Sequence, residues 1–268
     1  MPRLPSLLTF GARRRAVTGA LASGLLVAVL AGAGPAAAAT SPAALVTASQ
    51  AAAAKQQSVR FAASSSLGSD SITIVADVAR SAGLETVRIR HSSQVGLVSA
   101  RYTGKAVYFK GNVNGLVGYM GMPSALATKY AGRWIAFTPT QKNYAAIAHS
   151  MTLPAAVAQV SIDPPFTTSA GPKVGNLSTV VVHGTTTSLS SSGGKGSATL
   201  SIRSQGTPLP VRFVGKGTQS GGTESGQVVF SRWGEPVNVA TPSPSVNAST
   251  ITNGTSGSSG SSSSSSAG

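Results

Sequence analysis

The residues that could carry acid–base, nucleophilic or metal chemistry are few in this chain and lie far apart. There are six acidic residues and three histidines, and no HExxH, GxSxG or P-loop spacing is present. These nine residues are Asp70, Asp77, Glu85, Asp163, Glu224, Glu235, His91, His149 and His183. No two histidines have metal-ligand spacing, and an isolated histidine is usually structural. The sequence therefore predicts a protein that is not an enzyme and has no catalytic residue, metal site or cofactor.

Apolar side chains form a clearer pattern than polar ones. Eight of the 14 aromatic residues lie between Tyr102 and Tyr144, where Met120 and Met122 also lie. One interpretation is an ordinary core between helices and a sheet. The other is an apolar cavity whose flexible methionines accept variable acyl chains. For the cavity, the candidate ligand-binding residues are Phe109, Leu116, Tyr119, Met120, Met122, Leu126, Tyr130, Ile147, Met151 and Leu153.

The stretch VYFKGNVNGLVGYMGM, residues 107–122, joins a predicted strand to this apolar region. Neighbouring strand residues face opposite ways, and the hydroxyl of Tyr108 can stay in water, so we expect Phe109 to point inward and Tyr108 to point outward. The glycines at positions 115, 118 and 121 favour a mobile lid over a rigid helix.

Short runs rich in β-branched and aromatic residues predict antiparallel strands on both sides of a central helical region. In residues 85–92, ETVRIRHS, apolar and basic residues alternate, as in a strand with one face in water. The helical region has one start near Pro123 and an interruption near Pro154. We predict one α+β domain, a long curved antiparallel sheet with its helices gathered on one face.

The first 39 residues have the order of a signal peptide: a basic start, an apolar run and small residues at Ala37 and Ala39. We expect Sec export with cleavage after Ala39. The alternative is a retained membrane anchor, because residues 16–39 are long enough to span a bilayer. The chain has no cysteine, so neither a disulfide nor a lipoprotein anchor is expected. The sequence therefore predicts a protein that is secreted or associated with the cell envelope.

Three further segments are expected after the signal peptide. Residues 40–57 form a leader or short helix, residues 58–240 form the globular domain, and residues 241–268 form a disordered tail rich in Ser and Gly. Without its four signal-peptide arginines the chain keeps 17 of its 21 basic residues against 6 acidic ones, a net charge of about +11. This charge favours anionic membrane or cell-wall surfaces. The basic residues are scattered, so no nucleic-acid partner is expected.

The order of several phrases resembles the LppX/LprG-type proteins of mycobacteria and their actinobacterial relatives, within a wider LolA-like group. The phrases are GKAVYFKGN (104–112), LATKYAGRWIAFTP (126–139), LPVRFVGKG (209–217) and GQVVFSRWGEPVNVATPSPS (226–245). The resemblance implies a strongly curved antiparallel sheet, a half-open barrel, capped by helices on its concave face. It also implies a hydrophobic cavity that carries acylated molecules. Typical actinobacterial members are lipoproteins, whereas this chain has no cysteine to acylate.

Two functions from different classes remain open. The first is a monomeric exported carrier that holds a lipid or an acylated lipoglycan in an apolar cavity between sheet and helices. Such binding would draw on about 25 cal/mol for each Å² of apolar surface buried. The second is a protein-interaction or stress-sensing module of the cell envelope on the same fold, with a vestigial cavity.

Overall fold

The computed structural model describes residues 41–141, 143–187, 196–219 and 222–253. The predicted signal peptide therefore lies outside the described residues. The helices are α1 (Pro42–Ala54), α2 (Val113–Met120), α3 (Ser124–Tyr130), α4 (Tyr144–Ser150), α5 (Leu153–Ala158) and α6 (Ala248–Asn253). The strands are β1 (Ser58–Leu67), β2 (Asp70–Ala79), β3 (Gly83–His91), β4 (Gln94–Tyr102), β5 (Val107–Gly111), β6 (Trp134–Phe137), β7 (Asp163–Val174), β8 (Leu177–Thr186), β9 (Gly196–Arg203), β10 (Pro210–Gln219), β11 (Gly222–Ser231) and β12 (Ser245–Asn247).

The twelve strands of the described ranges belong to one curved, open sheet in the order β12-β6-β5-β4-β3-β2-β1-β11-β10-β9-β8-β7. Strands β1–β6 and β7–β11 are two antiparallel meanders, and β1 joins them by pairing with β11 along eight residue positions. The short strand β12 pairs with β6 in parallel. The predicted α+β class, a curved antiparallel sheet covered on one face by helices, is confirmed.

The alternation of side chains gives the sheet two unlike faces. On β3, Val87 and Ile89 are buried while Arg88 and Arg90 are exposed, as the sequence predicts. On β1, Val59, Phe61 and Ala63 are buried, and Phe61 pairs in register with Ala76 of β2. We call the face with these buried side chains the inner face, and the opposite face the outer face. The helices pack against the inner face.

The chain crosses the inner face between β6 and β7, because these strands lie near opposite edges of the sheet. Helices α4 and α5 form this crossing, and their separation at Met151 and Thr152 lies just before the predicted break at Pro154. Pro154 occupies the first turn of α5, where its missing N–H costs no hydrogen bond. Helix α1 lies within the predicted leader 40–57 and packs beside α5.

The chain crosses the outer face between β11 and β12. This segment, residues 232–244, is called the strap. Near its start, the Gly234 N–H donates to the Ser58 carbonyl at 3.0 Å. Farther along, an Arg101 guanidinium N–H donates to the Ala240 carbonyl at 3.2 Å. The strap thus runs from the centre of the sheet to the edge that contains β6.

The segment that follows the strap corrects the predicted boundary of the tail. The sequence predicts a disordered tail over residues 241–268, but residues 245–253 of this range form β12 and α6. Pro242, Ala248 and Ile251 are buried, and the latter two pack in a cluster with Ile135 of β6. The Ser- and Thr-rich composition hid this segment because only a few apolar side chains hold it in place.

A chain that stops after Ala240 should be clearly less stable than the full chain. It loses the parallel pairing of β12 and the buried side chains of Ala248 and Ile251, so the free energy of unfolding should fall by about 3 kcal/mol or more. Urea denaturation measures this difference. A chain that stops after Asn253 is the matched control; an equal loss in both truncations would contradict the role of the strap and α6.

Candidate functional site

The structure divides the ten predicted pocket residues among three apolar clusters. Phe109 and Met151 are buried in a cluster under α4, where Tyr119, Met120 and Ile147 also pack. Leu116 and Tyr130 are buried in a second cluster near α6. Met120 contacts both clusters, while Met122 and Leu126 pack on the second and Leu153 is buried in a third. The ten residues therefore pack at the inner face in separate apolar clusters.

Phe109 lies at the centre of the first cluster. Its side chain is only 4% exposed, whereas Tyr108 is partly exposed on the outer face. The Phe109 ring lies 5.6 Å from the Phe137 ring in an edge-on arrangement and 6.3 Å from the Tyr119 ring. Such aromatic contacts are typical of a packed core. Around Phe109, the core interpretation is therefore the better description.

Helix α2 is held against the sheet by a close backbone contact at Gly115. A Cβ at this position would lie 2.2 Å from the carbonyl oxygen of Leu97, so the site requires glycine. Asn112 caps the helix by accepting from the Gly115 N–H at 2.8 Å, and it also accepts from the Leu97 N–H at 2.9 Å. Gly121 ends the helix with a φ of +66°. Gly115 and Gly121 thus have packing and capping roles, which the lid interpretation of the sequence overlooked.

A cleft of about 500 Å³ opens between α1 and α5. Its apolar lining is formed by Ala54, Leu153, Pro154, Val157 and Ala158. Leu153 is the only predicted pocket residue among its lining residues, and it is 1% exposed because it also packs into the core below. The volume lies within the range of about 300–1,000 Å³ that is usual for small-molecule sites.

Three polar side chains, Gln50, Arg80 and Ser161, also line the cleft. Arg80 is exposed in the turn between β2 and β3, and its guanidinium donates to the Ala54 carbonyl at 2.6 Å. This contact satisfies one of the carbonyls left free at the end of α1 and places a cation near the negative end of the helix dipole. The cleft therefore combines an apolar lining with a cation at its border.

Sequence reasoning missed the α1 side of this cleft. The buried residues of α1 are Val46, Ser49 and Ala53, which repeat at helical spacing. That repeat was readable in the sequence, but the abundance of alanine obscured it. Alanine suits every face of a helix equally well, so it does not reveal which face is covered.

The carboxyl group of Glu85 lies on the inner face among apolar side chains. Glu85 of β3 is flanked in register by Ala76 and Ala100, and it is partly buried. The Tyr119 hydroxyl donates to its Oε1 at 2.8 Å. Desolvation raises the pKa of the Glu85 carboxyl, and the hydrogen bond from Tyr119 opposes this rise in part. Burial, followed by the charge of Glu85 and this same hydrogen bond, raises the pKa of the Tyr119 hydroxyl well above its ordinary value.

Glu85→Gln should stabilise the protein at neutral pH but not at low pH. A carboxyl with a raised pKa in the folded state contributes stability that is present below its unfolded pKa of about 4.5 and is lost as the pH rises through the folded value. Glutamine still accepts from Tyr119 and does not titrate. Urea unfolding of the unsubstituted protein and of Glu85→Gln from pH 4 to pH 8 measures the free energy of unfolding of each. The advantage of Glu85→Gln in this free energy should grow with pH.

Glu235→Gln is the matched control, because it removes a carboxyl from the exposed strap. If this control gave the same pH profile as Glu85→Gln, the effect would come from overall charge and not from the inner face. The account would also be contradicted if the difference in free energy of unfolding between Glu85→Gln and the unsubstituted protein stayed constant with pH.

Other polar pairs in the described part of the chain lie outside the cleft. Ser169 and His183 form a hydrogen bond of 2.9 Å across β7 and β8, and both are exposed. His91 pairs with Asp70 at 2.9 Å near two hairpin turns. No group of three metal-ligating side chains was found among the described residues. Within those same ranges, no helix is long and apolar enough to cross a membrane.

Comparison with known proteins gives partial likenesses of fold. No family model and no curated protein matches the chain. The lipoprotein LppX of Mycobacterium tuberculosis aligns with a TM-score of 0.44 and 18% identity, over 74% of this chain and 98% of its own. MucB, solved in complex with MucA(peri), aligns with a TM-score of 0.32 and 12% identity, over 75% of this chain and 63% of its own. At TM-scores below 0.5, neither likeness establishes a family or a function for this chain.

Proposed function

We propose that this chain is an exported, non-enzymatic carrier that binds a lipid or another acylated molecule between its curved sheet and its helices. The observation that supports this most strongly is the cleft of about 500 Å³ between α1 and α5. Apolar residues form most of its lining, and Leu153 connects it to the buried core of the sheet. Burial of an acyl chain there would supply binding free energy without any catalytic group.

The polar border of the cleft favours an amphiphile over a purely apolar ligand. An acyl chain would lie over Leu153 and Val157, and its head group would reach Gln50, Arg80 or Ser161. Arg80 can offer further N–H donors to a carboxylate or phosphate, because a guanidinium has five and the Ala54 carbonyl takes one in the structure. An acidic head group is therefore the best match.

One observation favours the second candidate function, a protein-interaction module of the cell envelope. Nine of the ten predicted pocket residues pack in apolar clusters and do not line the α1–α5 cleft. This packing is what a vestigial cavity would show. The two functions differ in what enters the cleft, so the cleft is the place to test them.

Val157→Trp should fill the cleft and weaken the binding of a fluorescent long-chain fatty acid by about tenfold or more. Val157 lines the cleft and is only partly buried, so the larger ring can occupy the open space without displacing the core. Fluorescence titration measures the dissociation constant. Val117→Trp is the matched control, because Val117 is 37% exposed on α2 and does not line the cleft. Equal binding by both variants would contradict a site between α1 and α5.

Arg80→Gln should weaken binding of a fatty acid by up to about fivefold, the range of an exposed ion pair, and should leave binding of the fatty alcohol of equal chain length unchanged. Competition against the same fluorescent probe measures both. The alcohol controls for any loosening of α1, since Arg80 also caps that helix. If both ligands weakened equally, Arg80 would have a structural role and would not recognise the head group.

A further inference from the structure

We propose that the outer face of β3, β4 and β5 binds to the surface of an anionic phospholipid membrane. The surface is defined by Arg88 and Arg90 on β3, Leu97 on β4 and Lys110 on β5, and is called the basic face. All four side chains are exposed. This inference does not depend on a ligand in the α1–α5 cleft.

The basic face has no acidic neighbours. In register, Arg88 lies between Thr73 and Leu97, and Arg90 lies between Ser71 and Val95. Lys110 lies beside Ser99. Directly opposed side chains are about 5 Å apart in an antiparallel sheet, and long side chains also reach the diagonal positions on the same face, so an acidic partner would occupy a direct or a diagonal position. None of these positions is acidic.

The six acidic residues of the chain all lie elsewhere in the described ranges. Asp77 pairs with Arg60 at 3.0 Å, Asp70 with His91 at 2.9 Å, and Glu235 with Arg232 at 3.9 Å. Glu85 and Glu224 point to the inner face, where Tyr119 donates a hydrogen bond to Glu85 and Ser65 donates one to Glu224. The last acid, Asp163, begins β7 at the opposite edge of the sheet. The positive charge of the basic face is therefore not compensated locally.

The strap leaves this part of the sheet open. It covers the outer face near Arg60, Asp77 and Leu84, where its residues 235–238 line a small cavity with them. It then passes Arg101, whose guanidinium lies 4.9 Å from the Trp134 ring centre. Lys110 lies 5.9 Å from the same ring, at the border of the basic face. The cations beyond the strap thus remain accessible.

Leu97 favours a membrane over a soluble polyanion. It is 47% exposed although it lies in the middle of a strand, directly opposite Arg88. A leucine among cations has nothing apolar to contact on a polyanionic glycan. On a bilayer it can enter the interfacial region while the neighbouring arginines contact the phosphate groups, and Trp134 adds an aromatic ring that suits the same depth.

Co-sedimentation with vesicles tests the proposal. The full chain should bind vesicles of phosphatidylglycerol and phosphatidylcholine in equal parts more tightly than vesicles of phosphatidylcholine alone. Arg88→Gln/Arg90→Gln should weaken binding to the anionic vesicles by roughly tenfold or more, since each cation near the membrane surface increases the affinity by about fivefold. Lys173→Gln/Lys216→Gln is the matched control, with the same loss of charge on exposed residues of β7 and β10. Because every variant carries the same residues 1–40, their contribution is common to all measurements.

The Leu97→Ser variant distinguishes binding to a membrane from binding to a soluble polyanion. It should weaken vesicle binding severalfold and leave binding to heparin unchanged, whereas the double arginine variant should weaken both. Equal vesicle binding by the full chain and the arginine variant would overturn the proposal, as would an equal loss in the lysine control. If Leu97→Ser bound vesicles as tightly as the unsubstituted chain, the proposal that the partner is a membrane would be wrong, and a polyanionic polymer would be the better candidate.

Discussion

The pairing of β1 with β11 is the contact on which the rest of the molecule depends. It joins the first strand of one meander to the last strand of the other, and these strands lie far apart in the sequence, since Phe61 pairs with Phe230. The joined sheet has β6 and β12 at one edge and β7 at the other. The chain must therefore cross each face once, through α4 and α5 on the inner face and through the strap on the outer face. Both surfaces proposed for binding are consequences of these two crossings.

The inner crossing produces the cleft because short helices cover a wide, curved sheet incompletely. Helix α5 has only six residues, and α1 lies beside it without filling the space between them. Toward β5 the cover is tighter, because α2 approaches the sheet through Gly115 and aromatic rings fill the gap around Phe109. On the outer face, the strap covers the strand ends near Leu84 and leaves Arg88 and Arg90 in solvent.

The strands, the two-faced pattern of β3 and the α+β class followed from the sequence because alternation is a local property. Alternation places Phe109 and Tyr108 on opposite faces, and the polar hydroxyl of Tyr108 decides which of them faces inward; the burial of Phe109 confirms this prediction. The location of the cleft did not follow, since it depends on how far α1 stands from α5, a distance that no local pattern encodes. Aromatic and methionine clustering indicated apolar contacts between Tyr102 and Tyr144, but those contacts fill a core. The sequence predicts a tail at the end of the strap and over β12 and α6, because the few buried residues there, such as Pro242 and Ile251, are isolated among small polar ones.

Binding of an acylated molecule in the α1–α5 cleft is the central claim, and mass spectrometry of the intact protein under native conditions tests it most directly. Protein purified without detergent from a host that exports it should carry an amphiphile of defined mass at near one copy per chain, and Val157→Trp should lose this mass while Val117→Trp retains it. Protein that is free of ligand in all three forms, and that takes up none when fatty acids or phospholipids are added, would contradict the account.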